Sequence, residues 1–72
     1  MRLLIVDGYP ADARERHRAG FGLTPGEAYA AVVKRIVPAA ACDIALPADA
    51  DAQLPSGAGL VSYDAVILTG SP

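Results

Sequence analysis

Leu3-Leu4-Ile5-Val6-Asp7-Gly8 is an unbroken apolar run that stops at an acid and a glycine. A run without polar alternation suits a strand covered on both faces, whereas a half-exposed strand alternates. A second run of the same kind, Ala65-Val66-Ile67-Leu68, lies near the other end of the chain. It is preceded by Tyr63-Asp64 and followed by Thr69-Gly70-Ser71-Pro72. Between them, Cys42 to Leu46 alternates. Cys42, Ile44 and Leu46 fall on one face and Asp43 and Ala45 on the other, as expected of a strand at a sheet edge.

Two helices are predicted between the first and second strands. Pro10 suits the first turn of a short helix running to about Arg18, since a proline there forfeits no hydrogen bond. Asp12 and Arg16 add i,i+4 support, and Gly20 and Gly22 end it. The second helix is more strongly marked. Thr24-Pro25-Gly26-Glu27 reads as a capping box with proline at the first helical position. Tyr29, Val32, Val33 and Ile36 follow as one apolar stripe. Lys34 and Arg35 sit in the last turn, where the helix dipole favours cations, and Pro38 stops the helix. The stretch from Pro47 to Gly59 reads as a connection.

Two buried strands and one edge strand are explained by a doubly wound sheet that begins in the order 2-1-3. Strands 1 and 3 are then inside and strand 2 is the edge. The chain reverses direction between strands 1 and 3, so Asp7-Gly8 and Thr69-Gly70 become neighbours at the switch point where open α/β sheets bind ligands. Strand 3 then has no partner on its far edge, and an apolar unpaired edge invites aggregation. The expectation is that residues 1–72 are the N-terminal portion of a larger domain.

Composition narrows the classes. The chain has 72 residues, 53% hydrophobic and 19% charged, which argues against disorder. One cysteine excludes an internal disulfide and suits a reducing, cytoplasmic setting. The apolar run Leu3–Val6 is too short for a signal segment or a membrane span. A net charge of −2 argues against nucleic acid as a partner. The cluster Arg14, Arg16, His17 and Arg18 is broken by Glu15 and reads as a solvated helix face.

Few residues invite chemistry. Cys42 has no helix N-terminus beside it to activate a thiolate and reads as inert. His17 reads as a surface residue, and Ser56, Ser62 and Ser71 lack a G-x-S-x-G context. Asp49 and Asp51 have no further ligand at useful spacing, so no metal is expected. Gly57-Ala58-Gly59 does not follow a strand and is no dinucleotide fingerprint, so no cofactor is expected. A phosphoreceiver domain shares the 2-1-3 start, but it needs an acceptor aspartate after strand 3, where this chain has Thr69-Gly70.

The ending Tyr63-Asp64-Ala65-Val66-Ile67-Leu68-Thr69-Gly70-Ser71-Pro72 resembles the third strand and following loop of class I glutamine amidotransferases. The opening Leu3 to Pro10 is similar to the start of their GMP-synthase-like, stand-alone members. The resemblance implies an α/β, flavodoxin-like doubly wound fold of which only the 2-1-3 part is present. It also implies a reaction: a cysteine attacks the side-chain amide of glutamine, a histidine oriented by a glutamate moves the protons, and ammonia leaves a glutamyl thioester that is hydrolysed. Two backbone N–H groups hold the tetrahedral oxyanion, one of them from the loop after strand 3. In this chain that donor falls on Gly70 or Ser71. The family usually has glycine before the proline, and Ser71 stands there instead. The nucleophile's G-x-C-x-G turn and the His-x-Glu pair are absent from these residues, and Cys42 and His17 match neither. Residues 1–72 alone are therefore expected to be inactive. The implied substrate of the complete domain is glutamine, a synthetase domain or subunit is the implied kind of partner, and the acceptor of the ammonia stays open. A non-catalytic α/β module that binds a partner through strand 3, and another cysteine hydrolase of the same fold, are the alternatives.

Overall fold

The computed structural model describes residues 1–49 and 58–70. Its elements are β1 (Arg2–Val6), α1 (Ala11–Phe21), α2 (Pro25–Ile36), β2 (Ala41–Ala45), α3 (Ala58–Val61) and β3 (Ala65–Leu68). The three strands form one parallel sheet in the order β2-β1-β3. This small α/β arrangement has the 2-1-3 order expected from the strand patterns.

β1 is central and buried, as its unbroken apolar run requires. Leu3, Leu4 and Ile5 form the core with Ala13, Ala40 and Ala45. β1 registers Leu3 with Cys42 and Ala65, and Val6 with Ala45 and Leu68. Residues in register point to the same face of a sheet, and alternate residues point to opposite faces. One face therefore carries Ile5, Ile44 and Ile67, and the other carries Val6, Ala45 and Leu68.

α2 begins as its sequence dictates. Thr24 is the N-cap, its hydroxyl accepts from the Glu27 N–H at 3.3 Å, and Glu27 Oε1 accepts from the Thr24 N–H at 2.9 Å. Pro25 and Gly26 are buried, so α2 meets the sheet through its first turn. A Cβ on Gly26 would come within 2.9 Å of Ile44 Cγ2 and 3.1 Å of Asp7 Oδ2, and only glycine fits that approach. The apolar stripe is not the buried face it promised to be. Tyr29, Val32 and Ile36 are exposed, and only Val33 among the four is half-buried.

α1 runs three residues beyond the predicted end at Arg18. Gly20 lies inside the helix rather than terminating it, and Pro10 is its N-cap. The stop is Gly22, in the left-handed region at φ 84°, whose N–H donates to Arg18 O at 2.7 Å. Glycine carries no Cβ penalty there.

Two further expectations are corrected. Arg14 does not belong to a solvated face: it is 9% exposed, and its guanidinium forks onto Asp49 at 2.9 and 3.0 Å. It lies beside buried Ala13, on the side of α1 turned toward the rest of the chain. Arg16 and Arg18 are exposed, as predicted. The second correction is β3, which is not covered on both faces. Val66 is 49% exposed and Leu68 71% exposed, because α2 lies over β1 and β2 and nothing described lies over β3. The connection also holds α3 at its end, a helix the sequence did not announce.

At the amino ends of the strands a polar clamp joins all three. Tyr63 Oη donates to Asp43 Oδ2 at 2.7 Å, and Arg2 Nη2 reaches the same oxygen at 3.3 Å. The Arg2 guanidinium lies 4.6 Å over the Tyr63 ring, and the Arg2 N–H donates to Asp64 Oδ2 at 2.7 Å. The Tyr63 hydroxyl, followed by Arg2, holds the Asp43 carboxyl below its ordinary range. Among the described residues no helix is long and apolar enough to cross a membrane.

Candidate functional site at the carboxyl ends of β1 and β3

The chain order reverses between β1 and β3, and the loops that leave these two strands meet. The Gly8 N–H donates to Thr69 Oγ1 at 3.3 Å, and the Thr69 N–H donates to Val6 O at 3.0 Å. Thr69 Oγ1 in turn donates to Gly70 O at 3.1 Å. One threonine thus joins the ends of both strands.

Asp7 fixes the floor of this junction. It is fully buried, and each carboxylate oxygen is committed. Oδ1 accepts from the Tyr9 N–H at 3.1 Å, and Oδ2 accepts from the Gly26 N–H at 2.9 Å. Its own N–H donates to Ala45 O at 2.9 Å. The carboxylate therefore ties the turn after β1 to the start of α2. Fully buried and held by two backbone donors, this carboxylate is a structural anchor without the access to a substrate that a base needs. The α2 N-terminus is likewise satisfied by Asp7 and Thr24, which removes it as an anion site.

Arg14 braces the same turn from the other side. Its Nη1 donates to Tyr9 O at 3.0 Å as well as to Asp49. The Asp49 hydrogen bond raises the Arg14 pKa above its ordinary value. His17 completes the support: Nδ1 lies 2.6 Å from Leu23 O, and its ring packs edge-on to Tyr9 and tilted against Phe21.

A pocket of about 320 Å³ opens at the junction, lined by Val6, Gly8, Leu68 and Gly70. By the strand alternation it lies on the face opposite Asp7 and α2. Gly70 takes φ 83°, a conformation that lets the backbone turn sharply without a side chain in the way. The site offers close backbone approach on two sides, an apolar wall from Val6 and Leu68, and no ionisable side chain. Its chemistry is that of an apolar wall and backbone shape.

Gly70 is thus at the pocket, as the sequence predicts for the loop after strand 3. Ser71 lies outside the described residues, as do Asp51, Ser56 and Gly57. Cys42 sits on β2 in register with Leu3, toward the opposite end of the sheet. His17 is held against the α1–α2 link, and Ser62 Oγ donates to Gly59 O. Cys42, His17 and Ser62 do not line the pocket. Among the described residues, no three of His, Cys, Asp and Glu come together as a metal site. Sequence reasoning missed Thr69 as the joining residue and Asp7 as the anchor of Gly26. The available signals were a hydroxyl residue immediately before Gly70 and a glycine at the second position of a helix.

No protein-family model matches the chain, and neither curated proteins nor solved structures return a match.

Proposed function

We propose that the chain forms the opening part of a flavodoxin-like class I glutamine amidotransferase domain, and that its loop after β3 supplies one donor of the oxyanion hole. The reading rests on the Gly8–Thr69–Gly70 junction: a glycine turn with positive φ at the carboxyl end of the switch-point strand, opening onto an apolar pocket. The motif Tyr63-Asp64 to Ser71-Pro72 supports it from the sequence side.

In this reading the substrate is the side-chain amide of glutamine. As the cysteine supplied by the rest of the domain attacks the carbonyl, negative charge gathers on its oxygen. A backbone N–H of Gly70 or Ser71 meets that oxygen in a site from which the apolar wall excludes water, where a fixed donor is worth most. The donor must be held rigid: Thr69 ties the start of the loop to Gly8, while Asp7 and Arg14 brace the turn after β1. The residues that break the C–N bond are not in this chain, so residues 1–72 release no ammonia from glutamine. A synthetase domain or subunit is the proposed partner, with no role for nucleic acid or a resident cofactor.

The test uses the domain extended along its reading frame. Ser71→Pro removes one candidate N–H and is expected to lower glutaminase kcat by about a hundredfold to a thousandfold. A variant with unchanged kcat assigns the donor to Gly70. Ammonia release by the 72-residue chain alone would defeat the reading.

A further inference from the structure

Gly70 sits at φ 83° and borders the pocket. Glycine enters positive φ about as readily as negative φ, so it permits this turn without choosing it. The choice between orientations of its carbonyl falls to a neighbouring contact.

That contact comes from Thr69. Its N–H donates to Val6 O at 3.0 Å, which fixes the backbone at the end of β3 against β1. Its hydroxyl then bridges the two loops. Thr69 Oγ1 accepts from the Gly8 N–H at 3.3 Å and donates to Gly70 O at 3.1 Å. A backbone N–H only donates and a backbone carbonyl only accepts, while a hydroxyl has one proton to give and lone pairs to receive. The direction of both bonds is therefore settled, and the single hydroxyl proton goes to Gly70 O. β-branching adds stiffness, because a threonine side chain has restricted χ1 freedom.

We propose that Thr69 is the positioning residue of this site, its hydroxyl relaying the order of the turn after β1 to the Gly70 loop. That turn is itself braced, since Asp7 Oδ1 accepts from the Tyr9 N–H and Arg14 Nη1 donates to Tyr9 O. The relay holds the Gly70 carbonyl toward Thr69. A carbonyl oxygen carries partial negative charge. Turned toward a substrate oxyanion, it would oppose the charge that an N–H donor there stabilises. Thr69 touches no reacting atom and acts through Gly70. The catalytic consequence rests on the amidotransferase reading, whereas the relay rests on the Gly8–Thr69–Gly70 geometry alone.

Thr69→Val tests the proposal in the domain extended along its reading frame, because valine keeps the shape and loses the hydroxyl. Glutaminase kcat is expected to fall about tenfold to a hundredfold, the scale of a small misplacement at a reacting centre. KM should change little, as for an interaction felt in the transition state. Thr69→Ser keeps the hydroxyl and is expected to recover most of the loss. Amide hydrogen exchange at Gly8 should quicken in the valine variant and not in the serine variant. A second measurement covers a valine variant that fails to fold: scalar couplings in the unaltered protein should place the Thr69 side chain in one dominant χ1 rotamer. Full activity in the valine variant, equal losses in the valine and serine variants, or an averaged Thr69 rotamer overturns the proposal. Failure of the amidotransferase reading is seen separately, in the unaltered domain: no ammonia from glutamine there defeats that reading and the catalytic role of Thr69 with it.

Discussion

β1 and β3 are written in nearly the same letters and end in different environments. Leu3-Leu4-Ile5-Val6 and Ala65-Val66-Ile67-Leu68 are both unbroken apolar runs, yet β1 is paired on both edges and buried, while β3, among the described residues, is paired on one edge and largely exposed. An apolar run states what surroundings would satisfy a strand. Whether it receives them depends on neighbours that the run does not specify. Around β1 those neighbours are present: β2 on one side, β3 on the other and the first turn of α2 above. Around β3 the described residues supply β1 alone.

Truncation should separate the two strands most widely. Ile5→Ala removes a fully buried side chain, and such substitutions cost about 2–5 kcal/mol. That loss is enough to unfold a small domain of marginal stability. Leu68→Ala, at a side chain 71% exposed, should change stability by no more than about 0.5 kcal/mol. Urea titration of both variants checks the contrast, and equal losses would break it.

Next in size is the brace on the β1 turn. Arg14→Met leaves Tyr9 O and the Asp49 carboxylate without their donor, a loss of about 1–3 kcal/mol. Arg16→Met, at an exposed i,i+4 pair, should be nearly silent in the same titration.

Glycine substitutions sharpen the comparison between contact and open space. Gly26→Ala forces a methyl against Ile44 and Asp7 and should cost about 1–3 kcal/mol. Gly20→Ala meets nothing within 4 Å inside α1 and should stabilise by about 0.5–1 kcal/mol. Thermal melts with opposite signs are the expected result.

The smallest effect is electrostatic. The Thr24 N–H, followed by Arg18, holds the Glu27 carboxyl below its ordinary value of 4.5, and Asp43 is held below 3.8. A carboxyl whose folded value is depressed contributes stability that is fully present above its unfolded value and is lost as pH falls through the folded one. Stability should therefore decline on acidification below about pH 5, and Glu27→Gln should flatten part of that decline. Urea midpoints across the acid range measure it.

What could be read in advance was local or topological. The α2 start was legible because a capping box lies within four consecutive residues, and Thr24, Glu27 and Pro25 take the places it assigns. The 2-1-3 order and the meeting of Gly8 with Thr69-Gly70 were legible from strand character, even though the burial expected for β3 does not hold. The rest depended on partners distant in sequence. Arg14 looked solvated because its neighbours are charged, and its ion-pair partner lies 35 residues away in a loop. The Asp7–Gly26 tie spans 19 residues and leaves only an unexplained glycine as its trace. The α2 stripe was read correctly as apolar, but periodicity names a face without naming what covers it.

The most direct measurement of the functional account is the coding sequence downstream of Pro72. The account predicts an open frame that continues into a G-x-C-x-G turn and, later, a His-x-Glu pair, the nucleophile and the base for which the Gly70 loop would hold the oxyanion. A stop codon directly after Pro72, or a frame that continues without a cysteine in such a turn, would contradict it.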